Sequence, residues 1–438
     1  MNIGRSGLER AARGATAQPV GWPCLSVCAV AAVLVVSLAG GPLARGARAD
    51  GGAPVVAYVV GAGPTGSDLA IIDIARRRVV ARVPLGGDPR GLAFTTDSTL
   101  AYIAETSANR VAVVDVAHLG LVATIPVGAG PVALAADTTG LTYDLFVADS
   151  GGSTVSVVDV NARRVVGTIP VGLHPSAVAL AGLGSGIANP DNPEIYVANA
   201  DSDSVSVISV QTLEVIATIP VPGGPASVAV PAQGGVAYVG TRSGAVVAVG
   251  LAAHRVLGVL TRLRGTAAGW MDYDAVTGDV YIPDRAGGVV DVLRPVAASE
   301  GAAPSLPAEP ARVLPVGGGP DAVAITSDGA YGFVAESVAG GVAMLDVGSH
   351  RTLAVIPVGG TPRAVVTGAF LPLNGPPPTA TAAAPPGPGH AAGGQGGTDD
   401  VVRGVVVGLL IGAAGAAAVG CSAAWLWRRG LIGGRGGG

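Results

Sequence analysis

The chain consists largely of short stretches in which apolar residues alternate with small polar ones. The segment from Glu194 to Pro225 reads EIYVANADSDSVSVISVQTLEVIATIPVPGGP; its alternation stops at polar turns and ends at a Gly-Pro corner. A period of two residues is typical of β-strands, whose successive side chains face opposite sides of a sheet. The pattern therefore predicts an all-β chain of short strands.

A corner phrase ending in proline recurs along the chain. Its copies are VPLGGDP from Val83, IPVGAGP from Ile125, IPVGLHP from Ile169, IPVPGGP from Ile219, LPVGGGP from Leu314 and IPVGGTP from Ile356. The successive intervals are 42, 44, 50, 95 and 42 residues, and the longest holds a degenerate copy near LTRLRGTA, which makes seven units. Each unit contains four strand-like stretches, as a β-propeller blade does.

The two ends of the repeat region predict how the ring closes. The first unit begins at VVAYVV, from Val55, without an innermost strand, and the last corner is followed by an unassigned strand, RAVVTGAF, from Arg363 to Phe370. We expect this last strand to complete the first blade, because pairing the chain ends removes two exposed sheet edges. The predicted fold is thus an all-β, seven-bladed β-propeller over residues 50–371, closed by a C-terminal strand.

The N-terminal residues 1–49 are interpreted as a signal peptide. Arg5, Arg10 and Arg13 form a basic region, Leu25 to Leu38 is an apolar run, and a small-residue cleavage site follows at Ala49. An uncleaved anchor is the alternative, although the run is short for a hydrocarbon core of about 30 Å.

The C-terminal part predicts attachment to a membrane. Residues 372–400 are rich in Pro, Gly, Ala and Thr and are expected to form a stalk. Residues 401–427 contain 24 uncharged residues from Gly404 to Trp427, followed by two arginines, which indicates a transmembrane helix with residues 428–438 as its cytoplasmic tail. Its small residues spaced by four suggest weak homodimerisation. The propeller is accordingly expected outside the cytoplasm.

Composition excludes several kinds of chemistry from the predicted propeller. All three cysteines lie outside it, which excludes disulfides and cysteine nucleophiles there. Residues 50–427 carry 18 arginines and 29 acidic residues, a net charge of −11 that argues against nucleic-acid binding. Haem-attachment, phosphate-loop, nucleophile-elbow and EF-hand motifs are absent from the sequence, so no cofactor or metal is predicted.

The repeat resembles a known family. The phrase YVAN, Tyr196 to Asn199, with its flanking IPVG corners is similar to the YVTN-type repeats of surface-layer-like β-propeller proteins, over roughly Val55 to Phe370. The resemblance implies seven blades. For function it implies either the adhesion or binding roles found in the family or the hydrolysis carried out by similar propeller enzymes such as lactonases.

The residue after each corner proline is expected near one mouth of the central channel. These residues are Arg90, Val132, Ser176, Ala226, Asp321 and Arg363. Asp321, Arg363 and Arg90 fall in neighbouring blades seven, one and two, so we predict that they cluster. Two arginines side by side suit a carboxylate or phosphate group, whereas a solvated salt bridge is the alternative interpretation.

Two further places supply candidate binding residues. His174, in GLHP, lies at a corner from which it could reach a ligand in the channel. Blade six brings Asp284 and Arg285 into the loop after its second strand, where they could extend the mouth, and Trp270 and Tyr273, which either line a pocket or pack in the core. No catalytic residue is predicted with these.

Residues that recur at one register are interpreted as structural. Five aspartates are expected to end the third strands and to accept hydrogen bonds from the following turns: Asp73, Asp115, Asp159, Asp291 and Asp346. The two longest insertions, Leu183 to Pro193 and Arg294 to Arg312, are expected on the face opposite the corners. Insertions often mark a binding face, so the sequence leaves the working face open.

Two hypotheses for function follow. The first is a membrane-anchored module that binds a protein, glycan or envelope component at the cell surface. The alternative is a lactonase-like hydrolase of a small anionic substrate that uses His174. A carboxylate within about 4 Å of His174 in a closed pocket would favour the enzyme, and an open channel the binding module.

Overall fold

The structure is a computed structural model that describes residues 55–368, apart from residues 64, 95–97, 138–141, 143, 183–191, 232–234, 266–267 and 295–311. The predicted signal peptide, stalk, transmembrane helix and tail lie outside the described residues, as do most of both insertions. Within the described residues, no helix is long and apolar enough to cross a membrane.

Seven four-stranded antiparallel sheets form the described fold. The strands of blades one to four are β1 (Val56–Gly63), β2 (Gly66–Asp73), β3 (Arg78–Pro84); β4 (Pro89–Phe94), β5 (Leu100–Glu105), β6 (Arg110–Asp115), β7 (Gly120–Pro126); β8 (Pro131–Ala136), β9 (Asp144–Asp149), β10 (Thr154–Asp159), β11 (Arg164–Pro170); β12 (Pro175–Ala181), β13 (Glu194–Asn199), β14 (Ser204–Ser209) and β15 (Val215–Pro220). A short 3-10 helix (Thr106–Ala108) lies in blade two.

The remaining blades follow in the same order. Their strands are β16 (Pro225–Ala229), β17 (Val236–Thr241), β18 (Ala245–Gly250), β19 (Arg255–Arg262); β20 (Asp272–Tyr273), β21 (Val280–Asp284), β22 (Val289–Leu293), β23 (Arg312–Pro315); β24 (Pro320–Ile325), β25 (Tyr331–Glu336), β26 (Gly341–Asp346), β27 (Arg351–Pro357); and β28 (Thr361–Gly368). The last strand, β28, pairs antiparallel with β1, with Val56 opposite Gly368 and Ala62 opposite Thr361. The predicted seven-bladed propeller and its closure by the C-terminal strand are confirmed.

The apolar core is divided among the contacts between blades. The described residues form seven buried clusters, and each cluster joins two neighbouring blades. One of them packs Ile72 of blade one against Phe333 and Met344 of blade seven, across the junction of the chain ends. Burying one large aliphatic side chain contributes about 1.5–3 kcal/mol to the free energy of folding. The contact between blades seven and one therefore stabilises the ring in the same way as the other contacts between blades.

Each blade places one aromatic ring at the same position of its second strand. These residues are Tyr58, Tyr102, Phe146, Tyr196, Tyr238, Tyr281 and Phe333, all buried. The tyrosine of the YVAN phrase is one of them. This explains why the phrase recurs: each copy supplies the largest side chain of a contact between blades.

A buried polar residue ends the second strand of six blades. These residues are Glu105, Asp149, Asn199, Thr241, Asp284 and Glu336. Glu105 accepts a hydrogen bond from the backbone N–H of Gly86 at 2.6 Å, and Asp284 accepts one from Gly265 at 2.7 Å. Glu336 accepts one from Gly317 in the same way, so in three blades this bond fastens the preceding corner to the blade that follows it. Asp149, Asn199 and Thr241 instead bond to groups of their own blades.

Four of the five aspartates expected at the ends of third strands behave as predicted. Asp73, Asp115, Asp159 and Asp346 accept backbone N–H hydrogen bonds from the turns that follow them. The prediction was wrong for Asp291, which lies in the middle of β22, because that strand continues to Leu293. Asp291 is buried, and burial together with the charge of Asp284 raises its pKa to about 6.

Asp149 and Asn199 occupy equivalent positions in blades three and four, and one side chain is ionisable while the other is neutral. Comparing them tests how a buried charge at this position affects stability. Asp149 accepts hydrogen bonds from the hydroxyls of Ser156 at 2.6 Å and Thr154 at 3.1 Å. In the next blade Asn199 donates to the equivalent Ser206 at 2.9 Å and contacts Ser204. Burial raises the pKa of Asp149 to about 6, so its charged form destabilises the fold.

We therefore expect Asp149→Asn to stabilise the protein at pH 7.5 but not at pH 4. A raised pKa in the folded state contributes stability below the unfolded pKa of 3.8, and that stability is lost as the pH rises through about 6. The shift corresponds to about 3 kcal/mol at most. Melting curves at the two pH values measure the effect, and Asn199→Asp should show the opposite sign. A difference in melting temperature between the wild type and Asp149→Asn that is the same at pH 7.5 and pH 4 would contradict this explanation.

Candidate functional site

The starts of the innermost strands surround a cavity of ≈ 270 Å³ at one mouth of the channel. All six residues that follow a corner proline line it: Arg90, Val132, Ser176, Ala226, Asp321 and Arg363. His174, Arg242, Arg285 and Trp270 also contribute to its wall. The cavity wall therefore holds four arginines and one carboxylate, although the predicted exported part of the chain is acidic.

Asp321 holds two of these arginines in place. Its Oδ1 contacts Arg285 Nη2, and its Oδ2 accepts a hydrogen bond from Arg363 Nη1 at 3.3 Å. The Asp321 side chain is 7% exposed, whereas those of Arg285 and Arg363 are 48% and 31% exposed. One carboxylate shared by two guanidinium groups leaves one positive charge, and most of their N–H donors remain free to bind an anion.

A second group at the mouth contains His174. Its Nδ1 lies 3.6 Å from Oδ2 of Asp201, and Arg242 donates a hydrogen bond from Nη1 to Oδ1 of the same carboxylate at 2.7 Å. All three side chains are about half exposed. The distance lies within the limit of about 4 Å expected from the sequence but exceeds that of a hydrogen bond, and the pair is open to solvent rather than enclosed.

Arg90 is paired with a different carboxylate from the one that Arg363 contacts. Its guanidinium donates a hydrogen bond from Nε to Oδ2 of Asp88 at 2.9 Å, and both side chains are 42% exposed. Arg90 and Arg363 thus share one cavity, while their ion pairs are made with different carboxylates. Exposed ion pairs such as this one contribute little free energy, so Arg90 can exchange its partner for a ligand at small cost.

Asp284 does not line the cavity, unlike its neighbour Arg285. Its side chain is buried and accepts hydrogen bonds from the backbone N–H groups of Gly265 at 2.7 Å and Gly287 at 2.9 Å. In this position Asp284 fastens the corner and the loop that carries Arg285, and it does not face a ligand in the channel.

Arg242 was missed by the sequence reasoning. It directly follows the second strand of blade five, and Arg285 occupies the same position in blade six. The register that singled out Arg285 could therefore have found Arg242 as well. The phrases YVGTR and YIPDR carry Arg242 and Arg285 at the same place, so the sequence contained the signal.

His174 has an unusual backbone conformation for its place in the repeat. Its φ is 55°, in the left-handed region, at a corner position where Gly130, Gly224 and Gly319 occur in other blades. Other non-glycine residues with a left-handed conformation lie in hairpin turns. Among the described corners, His174 is the only non-glycine residue with a positive φ. Such a conformation costs a side chain about 1 kcal/mol, so the imidazole is kept at the mouth against a local preference for glycine.

Trp270 and Tyr273 have different surroundings. Trp270 lines the mouth cavity and also packs, partly buried, against the clusters between blades seven and one and between blades one and two. Tyr273 packs against the cluster between blades five and six. In the described part of the chain, no group of three or more His, Cys, Asp or Glu side chains is arranged to hold a metal ion.

Comparisons with known proteins identify the fold and not the function. No family model matches the chain, so its place among YVTN-type repeat proteins stays a prediction. No curated protein matches it.

Solved structures resemble the chain at low sequence identity. A functionally unknown protein from Desulfotomaculum acetoxidans has a TM-score of 0.58 and 12% identity, over 72% of this chain and 99% of that one. A putative 6-phosphogluconolactonase from Bacteroides uniformis has a TM-score of 0.56 and 14% identity, over 71% and 99%. A similarly named protein from Bacteroides fragilis has a TM-score of 0.54 and 15% identity, over 71% and 97%. Likeness at this level establishes a shared fold.

The strain at His174 can be measured with two small substitutions. We expect His174→Gly to be more stable than His174→Ala by about 1 kcal/mol, because alanine keeps the left-handed strain and glycine relieves it. Thermal melting of the two variants measures the difference, and both remove the imidazole. An alanine variant as stable as the glycine variant would contradict the strain.

Proposed function

We propose that the protein is a binding module whose propeller takes a small anionic ligand at the channel mouth. The observation that carries the proposal is the group formed by Asp321 between Arg285 and Arg363. The buried carboxylate orients two guanidinium groups before any ligand arrives, and their spare donors suit a carboxylate or phosphate. Because these donors are already ordered, binding an anion does not cost the conformational entropy of fixing the side chains.

The rest of the mouth supports the same ligand class. Arg242 and His174 share Asp201, and Arg90 pairs with Asp88, so each of these exposed ion pairs can open towards an anion. The open setting of His174 favours binding over catalysis, since a general base works best in a pocket that excludes water.

The proposal includes a location. The apolar run of residues 1–49 and the uncharged segment of residues 401–427 support export and tethering, so that the propeller is presented outside the cytoplasm on the stalk of residues 372–400. The ligand would then be an anionic group of a protein, glycan or other envelope component. Weak pairing through the small residues of the membrane segment is part of this proposal.

Replacement of the oriented arginines tests the binding site. In the detergent-solubilised full chain, Arg363→Gln or Arg285→Gln should weaken binding of inorganic phosphate and acetate by about tenfold or more, because a charge-assisted hydrogen bond contributes about 1.5–3 kcal/mol. Calorimetric titration measures the affinity. Arg351→Gln, which removes an exposed arginine from the outer strand of blade seven, is the matched control and should bind as the wild type does.

Two outcomes of this titration would reject the binding site. The first is a wild-type chain that binds neither phosphate nor acetate. The second is a pair of mouth variants that melt normally and bind like the control.

One observation favours a second candidate function, hydrolysis of a lactone. His174 Nδ1 lies 3.6 Å from Asp201 Oδ2, near enough for an ion pair, and a small movement of either exposed side chain would bring them to the distance of about 2.6–3.2 Å between a base and its orienting carboxylate. Two of the similar structures carry the name 6-phosphogluconolactonase, and a phosphorylated lactone would place its phosphate on the arginines. In such a reaction water adds to the ring ester, the carbon–oxygen bond opens, and one proton is released.

Proton release distinguishes the two candidates. We expect the wild-type chain to open 6-phosphogluconolactone no faster than the buffer does, as followed by titration at constant pH. Catalysed release that is lost in both His174→Gly and Asp201→Asn would establish the hydrolase instead. Lactone hydrolysis that survives both substitutions would point to a contaminant, and phosphate titration would still decide the binding site.

A further inference from the structure

A second cavity follows the mouth cavity along the channel. Its volume is ≈ 260 Å³, and it is lined by the residues that come next on the same inner strands. Gly91 and Leu92 follow Arg90 in this way, and Ala177 and Val178 follow Ser176. Because each strand passes from one cavity to the other, the two cavities are successive parts of one channel.

The side chains of the second cavity are mainly apolar. They include Trp270, Met271, Leu92, Leu134, Val178 and Val228. Its wall contains one ionisable residue, Asp272, whose carboxylate accepts backbone hydrogen bonds from Ile325 and Tyr273, both at 2.8 Å. At neutral pH this carboxylate repels a second anion, whereas the arginines at the mouth attract one. A charged group is thus directed to the mouth and an apolar group to the second cavity.

Trp270 connects the two cavities. It lines both of them, and although it belongs to blade six it packs against clusters that involve blades seven, one and two. The side chain therefore reaches across the channel and offers an aromatic surface beside the arginines. Its backbone N–H donates to the backbone carbonyl of Asp321 at 2.8 Å, which holds the main chain of Trp270 beside the strand that carries Asp321.

We propose that the ligand is an amphipathic anion, with its charged group on Arg285 and Arg363 and its apolar part against Trp270 and in the second cavity. This inference rests on the proposed function, because it extends the same site. The mouth cavity alone is smaller than the usual small-molecule pocket of about 300–1,000 Å³, and the two cavities together fall within that range. A small inorganic anion would use only the first half of the channel.

A series of unbranched carboxylates tests the inference in the detergent-solubilised full chain. From acetate to butyrate to hexanoate, affinity should rise about fourfold for each added methylene, the effect of burying that group. Trp270 is the only tryptophan between residues 50 and 400, so hexanoate should change its fluorescence and phosphate should not. The Trp270→Phe variant shows which part of the signal comes from this residue.

Filling the second cavity should remove the chain-length effect alone. Val228 is partly buried and lines the cavity, so Val228→Phe should lower hexanoate affinity at least tenfold and leave acetate and phosphate affinities unchanged. Val178→Phe, from the neighbouring blade, should do the same and serves if the first variant does not fold. Val276→Phe, at a side chain 68% exposed and outside both cavities, is the matched control.

The outcomes separate this inference from the proposed function. Equal affinities for acetate and hexanoate would overturn the amphipathic ligand and leave the anion site standing. A gain for hexanoate that survives both Val228→Phe and Val178→Phe would also overturn it, since the chain would lie elsewhere. Failure of every anion, phosphate included, to bind would overturn both.

Discussion

The structure depends on one constraint: each blade has two apolar faces and cannot cover either of them by itself. Every buried cluster in the described residues is shared between two blades, so the hydrophobic free energy is gained at contacts between sheets. A row of such sheets leaves two faces open, and only a ring leaves none. The pairing of β28 with β1 is therefore required by the packing.

This constraint explains how much could be predicted from the sequence. Strand period, corner prolines and the unassigned last strand specified seven blades and their closure, because each is a direct consequence of packing identical units. The same register placed Arg90, Asp321 and Arg363 at one mouth, where the structure brings them to one cavity. The repeat register failed for Asp291, because β22 runs two residues beyond it. Arg242 could have been predicted, since YVGTR and YIPDR place Arg242 and Arg285 at the same register.

Other features of the site could not be read from the pattern. Arg285 and Asp284 are adjacent in the chain, yet one faces the cavity and the other is buried under a corner, since successive residues at a strand end point in different directions. The pairing of His174 with Asp201 crosses two loops of blade four, and no repeat dictates it. Six blades repeat a buried polar residue at the end of the second strand, and in three of them it fastens the preceding corner. The arginines, the histidine and the tryptophan that line the mouth cavity come instead from positions whose residue differs between blades.

Arg363 lies on the strand that is synthesised last among the described residues, and it stands opposite Asp321 and Arg285 of other blades. A chain that emerges from the ribosome has six complete blades before it possesses this half of the site. Under the proposed function, molecules that lack β28 lose one of the two arginines that hold the anion, even where the remaining blades are folded. Under the same proposal, an anion held by Arg363 and Arg285 links β28 to blade six, so that a bound ligand stabilises the ring against detachment of its last strand.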